Sequence, residues 1–130
     1  MIIRVEKEQE NKIMEPFPQE HELMELFESE PTKLDEEVPF FYNNNTYKLC
    51  RPNGELYFEI EPSHRWSRVV WKQGTASLVD LTLENIKGID IEKRSGMEFM
   101  NFYFDEEQGV RTLLLKTKPA ISVIWGTLSD

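Results

Sequence analysis

The sequence is poor in the residues that cross-link small proteins or bind metals. It has one cysteine, Cys50, and two histidines, His21 and His64. A single cysteine excludes a disulfide within the chain, which favours a reducing compartment. One cysteine and two distant histidines are too few for a structural zinc site, so we expect no metal and no cofactor. The 130 residues must be held together by an apolar core, which a chain of this length can bury.

Long apolar runs and glycine-rich loops are also missing. No stretch approaches the roughly 20 apolar residues of a membrane-spanning helix. A charge appears already at Arg4, and the N terminus lacks the apolar run of a signal peptide. The six glycines are too dispersed to form a phosphate-binding loop. These absences predict a cytoplasmic protein that makes no contact with a membrane.

No catalytic set stands out. Ser63 and His64 are neighbours, so on an extended segment their side chains point to opposite faces. His21 lies in an acidic stretch, and nothing in the spacing requires Cys50 to meet His64. Nucleophilic hydrolysis needs a serine or cysteine beside a histidine and an orienting carboxylate. We therefore expect no catalytic residues and no enzymatic activity.

Basic residues are outnumbered, and the imbalance is concentrated near the N terminus. The chain has 15 Lys and Arg against 24 Asp and Glu, a formal net charge of −9. Residues 1–40 contain 12 acids and 4 bases, whereas residues 41–130 contain 12 acids and 11 bases. Proteins bind nucleic acid through cationic surfaces that displace counterions, so direct nucleic-acid binding is not expected. The partner that this charge would attract is a cationic protein.

One amphipathic helix is predicted between Pro18 and Pro31. The apolar residues of this segment recur at positions i, i+1, i+3 and i+4, and glutamates cover most of the remaining surface. The apolar residues are Leu23, Met24, Leu26 and Phe27. Pro31 lacks a backbone donor and is expected to end the helix.

Roughly eight short strands are predicted after residue 39. Turn residues recur about every ten positions, and connections of that length are too short for parallel crossovers. Within 55–61, the apolar Leu56, Phe58 and Ile60 alternate with more polar residues, which indicates a strand with one buried face. The run 43–45, three asparagines, is expected to be the turn of a hairpin between 40–42 and 47–50.

These patterns predict one domain spanning residues 1–130. Its class is mainly β (α+β), an antiparallel sheet or sandwich with one N-terminal helix. Residues 1–40 form the acidic, helix-containing segment and residues 41–130 form the antiparallel β region. Whether the last predicted strand, 121–125, is an edge that pairs with another copy stays open, so we expect a monomer or a weak homodimer.

Two groups of residues are candidates for contact with a partner. The first group is the acidic set of the N-terminal third, namely Glu22, Glu25, Glu28, Asp35, Glu36 and Glu37. The second group is Trp66 and Arg68, which strand alternation places on one face together with Val70 and Lys72. Tryptophan and arginine dominate the energetics of many interfaces. Both groups are also compatible with a surface that only keeps the protein in solution.

Two short motifs have a recognisable order. The first is Leu26-Phe27, then Pro31, then the run Leu-Asp-Glu-Glu-Val at 34–38. The second is the strand-like stretch 81–91, in which Asn-Ile-Lys-Gly-Ile follows a strand pattern. Together they resemble small β-sheet immunity proteins of bacterial polymorphic toxin systems. Glu28 stands where that family tends to have glycine, and Leu34 where a histidine often precedes the aspartate.

The resemblance implies a non-enzymatic protein that binds and neutralises a toxin made by the same or a neighbouring cell. Many toxins of this kind are nucleases with cationic substrate channels, which an acidic protein can cover by charge complementarity. Two alternatives stay open. One is a phage-encoded inhibitor of a host nuclease or defence protein. The other is a small-ligand-binding β domain with Trp66, Arg68 and Tyr57 around a pocket on the wet face of the sheet.

Overall fold

The computed structural model describes residues 13–128, which form one helix and two antiparallel sheets. The helix is α1 (Glu20–Phe27). The five-stranded sheet has its strands in chain order: β1 (Thr32–Lys33), β2 (Asn45–Arg51), β3 (Gly54–Glu61), β4 (Trp66–Gln73) and β5 (Ala76–Leu83). The four-stranded sheet is also in chain order: β6 (Gly88–Arg94), β7 (Met97–Tyr103), β8 (Leu113–Lys118) and β9 (Ser122–Ile124). The predicted mainly β class with one helix is confirmed.

The two sheets contribute to one apolar core. Leu56, Phe58 and Ile60 of β3 are fully buried, as their alternation predicts. From the other sheet, Met100 and Phe102 of β7 are fully buried in the same cluster. The rings of Phe58 and Phe102 meet edge to face with their centroids 5.9 Å apart, a favoured aromatic geometry. The sheets therefore pack face to face as a sandwich.

Helix α1 packs against the core beside β2. Leu23, Leu26 and Phe27 are buried, and the ring of Phe27 stacks on Tyr47 at 5.2 Å and on Phe58 at 5.3 Å. The predicted apolar stripe is thus the buried face of the helix.

The helix ends earlier than its sequence suggests. It stops at Phe27 because Glu28 adopts a left-handed conformation, with φ of 58°, and its N–H donates to the carbonyl of Met24. This backbone reversal ends the helix before the chain reaches Pro31. The prediction that Pro31 terminates the helix is therefore wrong.

The predicted hairpin around residues 43–45 is also wrong. Phe40–Tyr42 is a 3₁₀ turn, and β2 begins at Asn45 and pairs with β1 and β3. The buried side chain of Asn45 explains the difference, because its Nδ2 donates to the carbonyl of Phe40 at 3.0 Å and so holds the turn against the sheet. A tight turn at Pro52 and Asn53 joins β2 to β3. Gly54 is required there, since its φ is 135° and a Cβ would collide with the backbone of Lys72.

The chain before α1 lies along β6. The N–H of Glu15 donates to the carbonyl of Lys87 at 2.9 Å, and the N–H of Ile89 donates to the carbonyl of Pro16 at 2.8 Å. The lack of a side chain at Gly88 permits this approach, because a Cβ there would meet the backbone of Glu15. Within residues 13–128 no helix is long and apolar enough to cross a membrane.

Replacing Tyr47 by phenylalanine is expected to stabilise the fold. The Tyr47 side chain is fully buried, and its hydroxyl has no hydrogen-bond partner among the described residues. Burying an unpaired hydroxyl costs about 1–3 kcal/mol, so Tyr47→Phe should raise the free energy of unfolding by about 1 kcal/mol in urea titrations. Burial also raises the pKa of Tyr47. Wild-type stability should fall as the pH rises above about 10, where the unfolded tyrosine ionises, and the variant should lose less.

The matched control is Tyr103→Phe. The hydroxyl of Tyr103 donates to the carboxylate of Asp90 at 2.8 Å, so its removal should lower the free energy of unfolding by about 1 kcal/mol. Destabilisation of similar size in both variants would contradict the assignment of an unpaired hydroxyl at Tyr47.

Candidate partner-binding site

Two of the predicted acidic residues, Glu22 and Glu25, lie on the exposed face of α1. The carboxylate of Glu22 accepts the N–H of Gln19 at 2.8 Å and so caps the start of the helix. The carboxylate of Glu25 lies 4.0 Å from Nζ of Lys93 in β6. Glu22 thus has a structural role in addition to its charge.

Glu28 lies apart from the other predicted residues. Its carboxylate pairs with the guanidinium of Arg51, with Oε2 3.1 Å from Nη2, and this hydrogen bond lowers the pKa of Glu28. Arg51 is the last residue of β2, a strand of seven residues and therefore about 20 Å long. The remaining predicted acids, residues 35–37, lie in the loop that leads to the other end of β2.

The loop that carries Asp35, Glu36 and Glu37 is held by the side chain of Asn43. Asn43 is 4% exposed, and its Nδ2 donates to the carbonyls of Asp35 at 2.6 Å and of Val38 at 2.9 Å. Its Oδ1 accepts the N–H of Asp35 at 3.3 Å. One buried amide therefore fixes both ends of the loop, while all three carboxylates stay exposed.

A groove with a volume of about 300 Å³ lies between α1 and this loop, and we call it the acidic groove. Its lining residues are Glu20, Met24, Glu30, Pro31, Lys33 and Glu36. Nζ of Lys33 pairs with Glu20 at 3.3 Å. Within the described chain no cation pairs with Glu30 or Glu36, so the groove keeps two uncompensated carboxylates beside the apolar Met24 and Pro31.

Sequence reasoning identified only one lining residue of the acidic groove, Glu36. It missed Glu20, Glu30 and Lys33, because these residues come together only when the chain reverses after α1 and enters β1. One signal was available: Lys33 is the single base among residues 13–40, which otherwise contain nine acids.

Trp66 and Arg68 lie on the outer face of the five-stranded sheet, away from the core. The guanidinium of Arg68 makes a two-pronged contact with Asp80 of β5, with Nε 3.0 Å from Oδ1 and Nη2 2.8 Å from Oδ2. This pairing lowers the pKa of Asp80. Both groups are about half exposed, so the pair contributes little to stability.

The same outer face forms a concavity of about 450 Å³. Its lining residues are Thr46, Tyr57, Glu59, Arg68, Val70, Lys72, Ser77 and Asp80. Tyr57 supplies the one aromatic ring, and Nζ of Lys72 lies 5.6 Å from its centroid. Trp66 does not line the concavity. Seven of the eight lining residues have polar or charged side chains, and Val70 is the one aliphatic residue, whereas small-ligand pockets are lined mainly by apolar and aromatic side chains.

Asn44 connects the acidic loop to the outer face. Its Nδ2 donates to Glu59 at 2.7 Å and to Glu61 at 2.6 Å, and it is the chain neighbour of Asn43, which holds the loop. The bond from Asn44 lowers the pKa of Glu61, and so does the contact with His64, whose Nδ1 lies 2.9 Å away. The acidic loop and the outer face therefore meet along one rim.

Cys50 and His64, considered above as a nucleophile and a base, lie far apart. Cys50 is exposed and lies opposite Glu55 at the start of β3. His64 pairs with Glu61 at the other end of that strand, about 20 Å away. Asp80 binds Arg68. Within residues 13–128 no three histidine, cysteine or acidic side chains are placed to hold a metal ion.

Comparisons with known proteins add one finding. No family model and no curated protein matches the sequence. Among solved structures, the chain is similar to a chain of the contact-dependent growth inhibition toxin–immunity protein complex from Klebsiella pneumoniae 342, with a TM-score of 0.75. The two chains share one fold. The superposition covers 89% of this chain and 99% of that chain, with 14% sequence identity. The predicted likeness to proteins of toxin–immunity systems is therefore confirmed for the fold.

The attachment of the acidic loop can be tested with Asn43→Asp. A carboxylate cannot donate the two hydrogen bonds to Asp35 and Val38, so stability should fall by about 1–3 kcal/mol. The N–H of Val38 donates to the carbonyl of Asp35 within this loop. Hydrogen exchange at the amide of Val38 should become faster, because that bond opens more often when Asn43 no longer holds the loop.

Asn53→Asp is the matched control. Asn53 donates to the carbonyl of Ile121 at 2.8 Å in a different part of the molecule. This variant should lose stability without faster amide hydrogen exchange confined to residues 35–38. Equal protection of Val38 in the two variants would show that the Asn43 amide does not hold the loop.

Proposed function

We propose that this protein is a non-enzymatic inhibitor of the immunity-protein type, which neutralises a cationic protein toxin by binding it directly. The observation that carries the proposal is the acidic groove, on a fold that this chain shares with a chain of a toxin–immunity complex. The proposed contact surface consists of the groove, the exposed face of α1, the 35–37 loop and the rim that leads to Trp66 and Arg68.

The groove matches the chemistry of a lysine or arginine side chain. Such a side chain has an apolar stem and a cationic head. Met24 and Pro31 offer apolar contact for the stem, and Glu30 and Glu36 offer carboxylates for the head. Because Lys33 is already paired with Glu20, it leaves these two carboxylates available to a cation from a partner.

The charge distribution supports a toxin with a cationic surface, such as a nuclease whose channel binds phosphates. Residues 13–40 hold nine acids and one base, so the field around α1 and β1 is strongly negative. A field of this kind accelerates encounter with an opposite charge, and salt weakens it because the Debye length is about 8 Å at physiological ionic strength. The inhibitor would act in the cytoplasm, by covering the toxin rather than by contacting nucleic acid.

A growth assay tests the proposed role. The protein encoded by the adjacent open reading frame should arrest growth when expressed alone, and co-expression of this chain should restore colony formation. This chain alone should leave growth unchanged. Growth arrest by this chain itself, or a neighbouring product that neither binds it nor is toxic, would contradict the proposal.

A kinetic experiment tests the acidic groove. The double variant Glu30→Gln/Glu36→Gln removes two charges without changing side-chain shape. Its association rate with that neighbouring protein should fall about tenfold at low ionic strength, and the difference should shrink as salt is added. Stopped-flow fluorescence measures both rates.

The control Glu106→Gln/Glu107→Gln removes the same charge from an exposed 3₁₀ turn, Glu106–Gln108, between β7 and β8. It should slow association much less, because steering depends on where the charge lies. Equal association rates for the two double variants would show that net charge alone sets the rate. The groove would then be excluded as the contact.

A further inference from the structure

The four edge strands of the two sheets differ in how open they are to pairing with a further strand. β1 has two residues and β9 has three, so each offers little backbone for pairing. β6 is bordered by the segment before α1, through the bonds of Glu15 and Ile89. β5 has eight residues, and apart from its pairing with β4 no backbone hydrogen bond within the described chain reaches it.

Little protects the second half of β5 from further pairing. Natural edge strands avoid further pairing through lysine, proline, an inward-pointing charge or a β-bulge. β5 has no lysine, arginine or proline, and its one charged residue, Asp80, is paired with Arg68 of the neighbouring strand. The register of β4 with β5 shifts once, after Trp71, where Leu78 is skipped and is 47% exposed. This bulge interrupts the first half of the edge, whereas the pairing of 79–83 with β4 is regular. The regular part of the edge is nearly neutral and partly apolar.

We propose that β5 pairs antiparallel with β5 of a second copy of this chain, so that two five-stranded sheets join into one sheet of ten strands. Alternate residues of an edge strand direct their N–H and C=O groups outward, and an identical strand can satisfy them about a two-fold axis. This inference does not depend on the proposed function.

The side chains of β5 are self-complementary about an axis at Leu81. Val79 and Leu83 lie on the inner face, opposite Trp71 and Ser67 of β4, whereas Asp80 and Thr82 lie on the outer face. With the axis at Leu81, Val79 lies opposite Leu83 of the second copy, and Asp80 lies opposite Thr82. Apolar side chains then meet apolar ones, and the two aspartates do not face each other.

Most of the excess negative charge of the chain lies in residues 13–40, away from the proposed seam. The acidic groove is beside β1, at the opposite edge of the same sheet from β5. In a ten-stranded sheet the two β1 strands would lie about 40 Å apart, several Debye lengths at physiological salt. The two acidic surfaces therefore point away from each other and stay open.

The expected dimer is weak. A single strand pair buries less surface than the roughly 1,200–2,000 Å² of a stable interface. The molecular mass should therefore depend on concentration, and it should rise from the 15.4 kDa of the monomer towards twice that value.

The deciding variant is Thr82→Glu, measured by sedimentation equilibrium. It places a carboxylate opposite Asp80 of the second copy twice in each dimer, while in the monomer the side chain of Thr82 is exposed to solvent. The dissociation constant of the dimer should rise at least tenfold. The control Thr32→Glu makes the same change on β1, the opposite edge, and should leave the dissociation constant unchanged.

Hydrogen exchange gives a second readout. In the wild type, amides of β5 should become more protected as the concentration rises, and those of β9 should not. A wild-type chain that stays monomeric at every concentration would overturn the proposal, and so would a dimer that Thr82→Glu leaves intact.

Discussion

The hydrogen bonds of one buried side chain, Asn43, decide where the acidic surface lies. Its amide binds both ends of the 35–37 loop, and its neighbours continue the network: Asn44 binds Glu59 and Glu61, and Asn45 binds the carbonyl of Phe40. Each of these groups would cost free energy if it were buried without a partner, so the loop, the 3₁₀ turn and the start of β2 are fixed together. Three consecutive asparagines thus connect the most acidic part of the chain to the outer face of the sheet.

Aromatic packing determines the other wall of the acidic groove. Phe27 stacks on Tyr47 and Phe58, and Phe58 meets Phe102 of the opposite sheet. This row of rings fixes the rotation of α1, because the helix can bury only one stripe. With Leu23, Leu26 and Phe27 turned inward, Glu20 and Met24 line the groove. The surface proposed for toxin binding is therefore a consequence of how the core packs.

The charge of the chain is divided between the two edges of one sheet. The β1 edge, with α1 and the 35–37 loop beside it, holds most of the uncompensated acids, whereas acids nearer β5 are balanced by bases, as in the pair of Arg68 and Asp80. Opposite edges of one sheet can therefore have different physical properties. One attracts cations over a distance, and the other exposes the N–H and C=O groups of an edge strand.

Local spacing in the sequence was enough to predict the class, the apolar stripe of α1 and the buried alternation of β3, because burial of one face repeats with the period of a helix or a strand. The uneven distribution of charge also followed directly from the positions of acids and bases in the sequence. The sequence did not predict the 3₁₀ turn at Phe40–Tyr42, the end of α1 at Glu28 or the pairing of Glu28 with Arg51. Only the tertiary structure decided these features and the acidic groove, whose carboxylates come from α1, from the residues before β1 and from the following loop. Such contacts depend on how distant segments close on each other, and local periodicity carries no information about that closure.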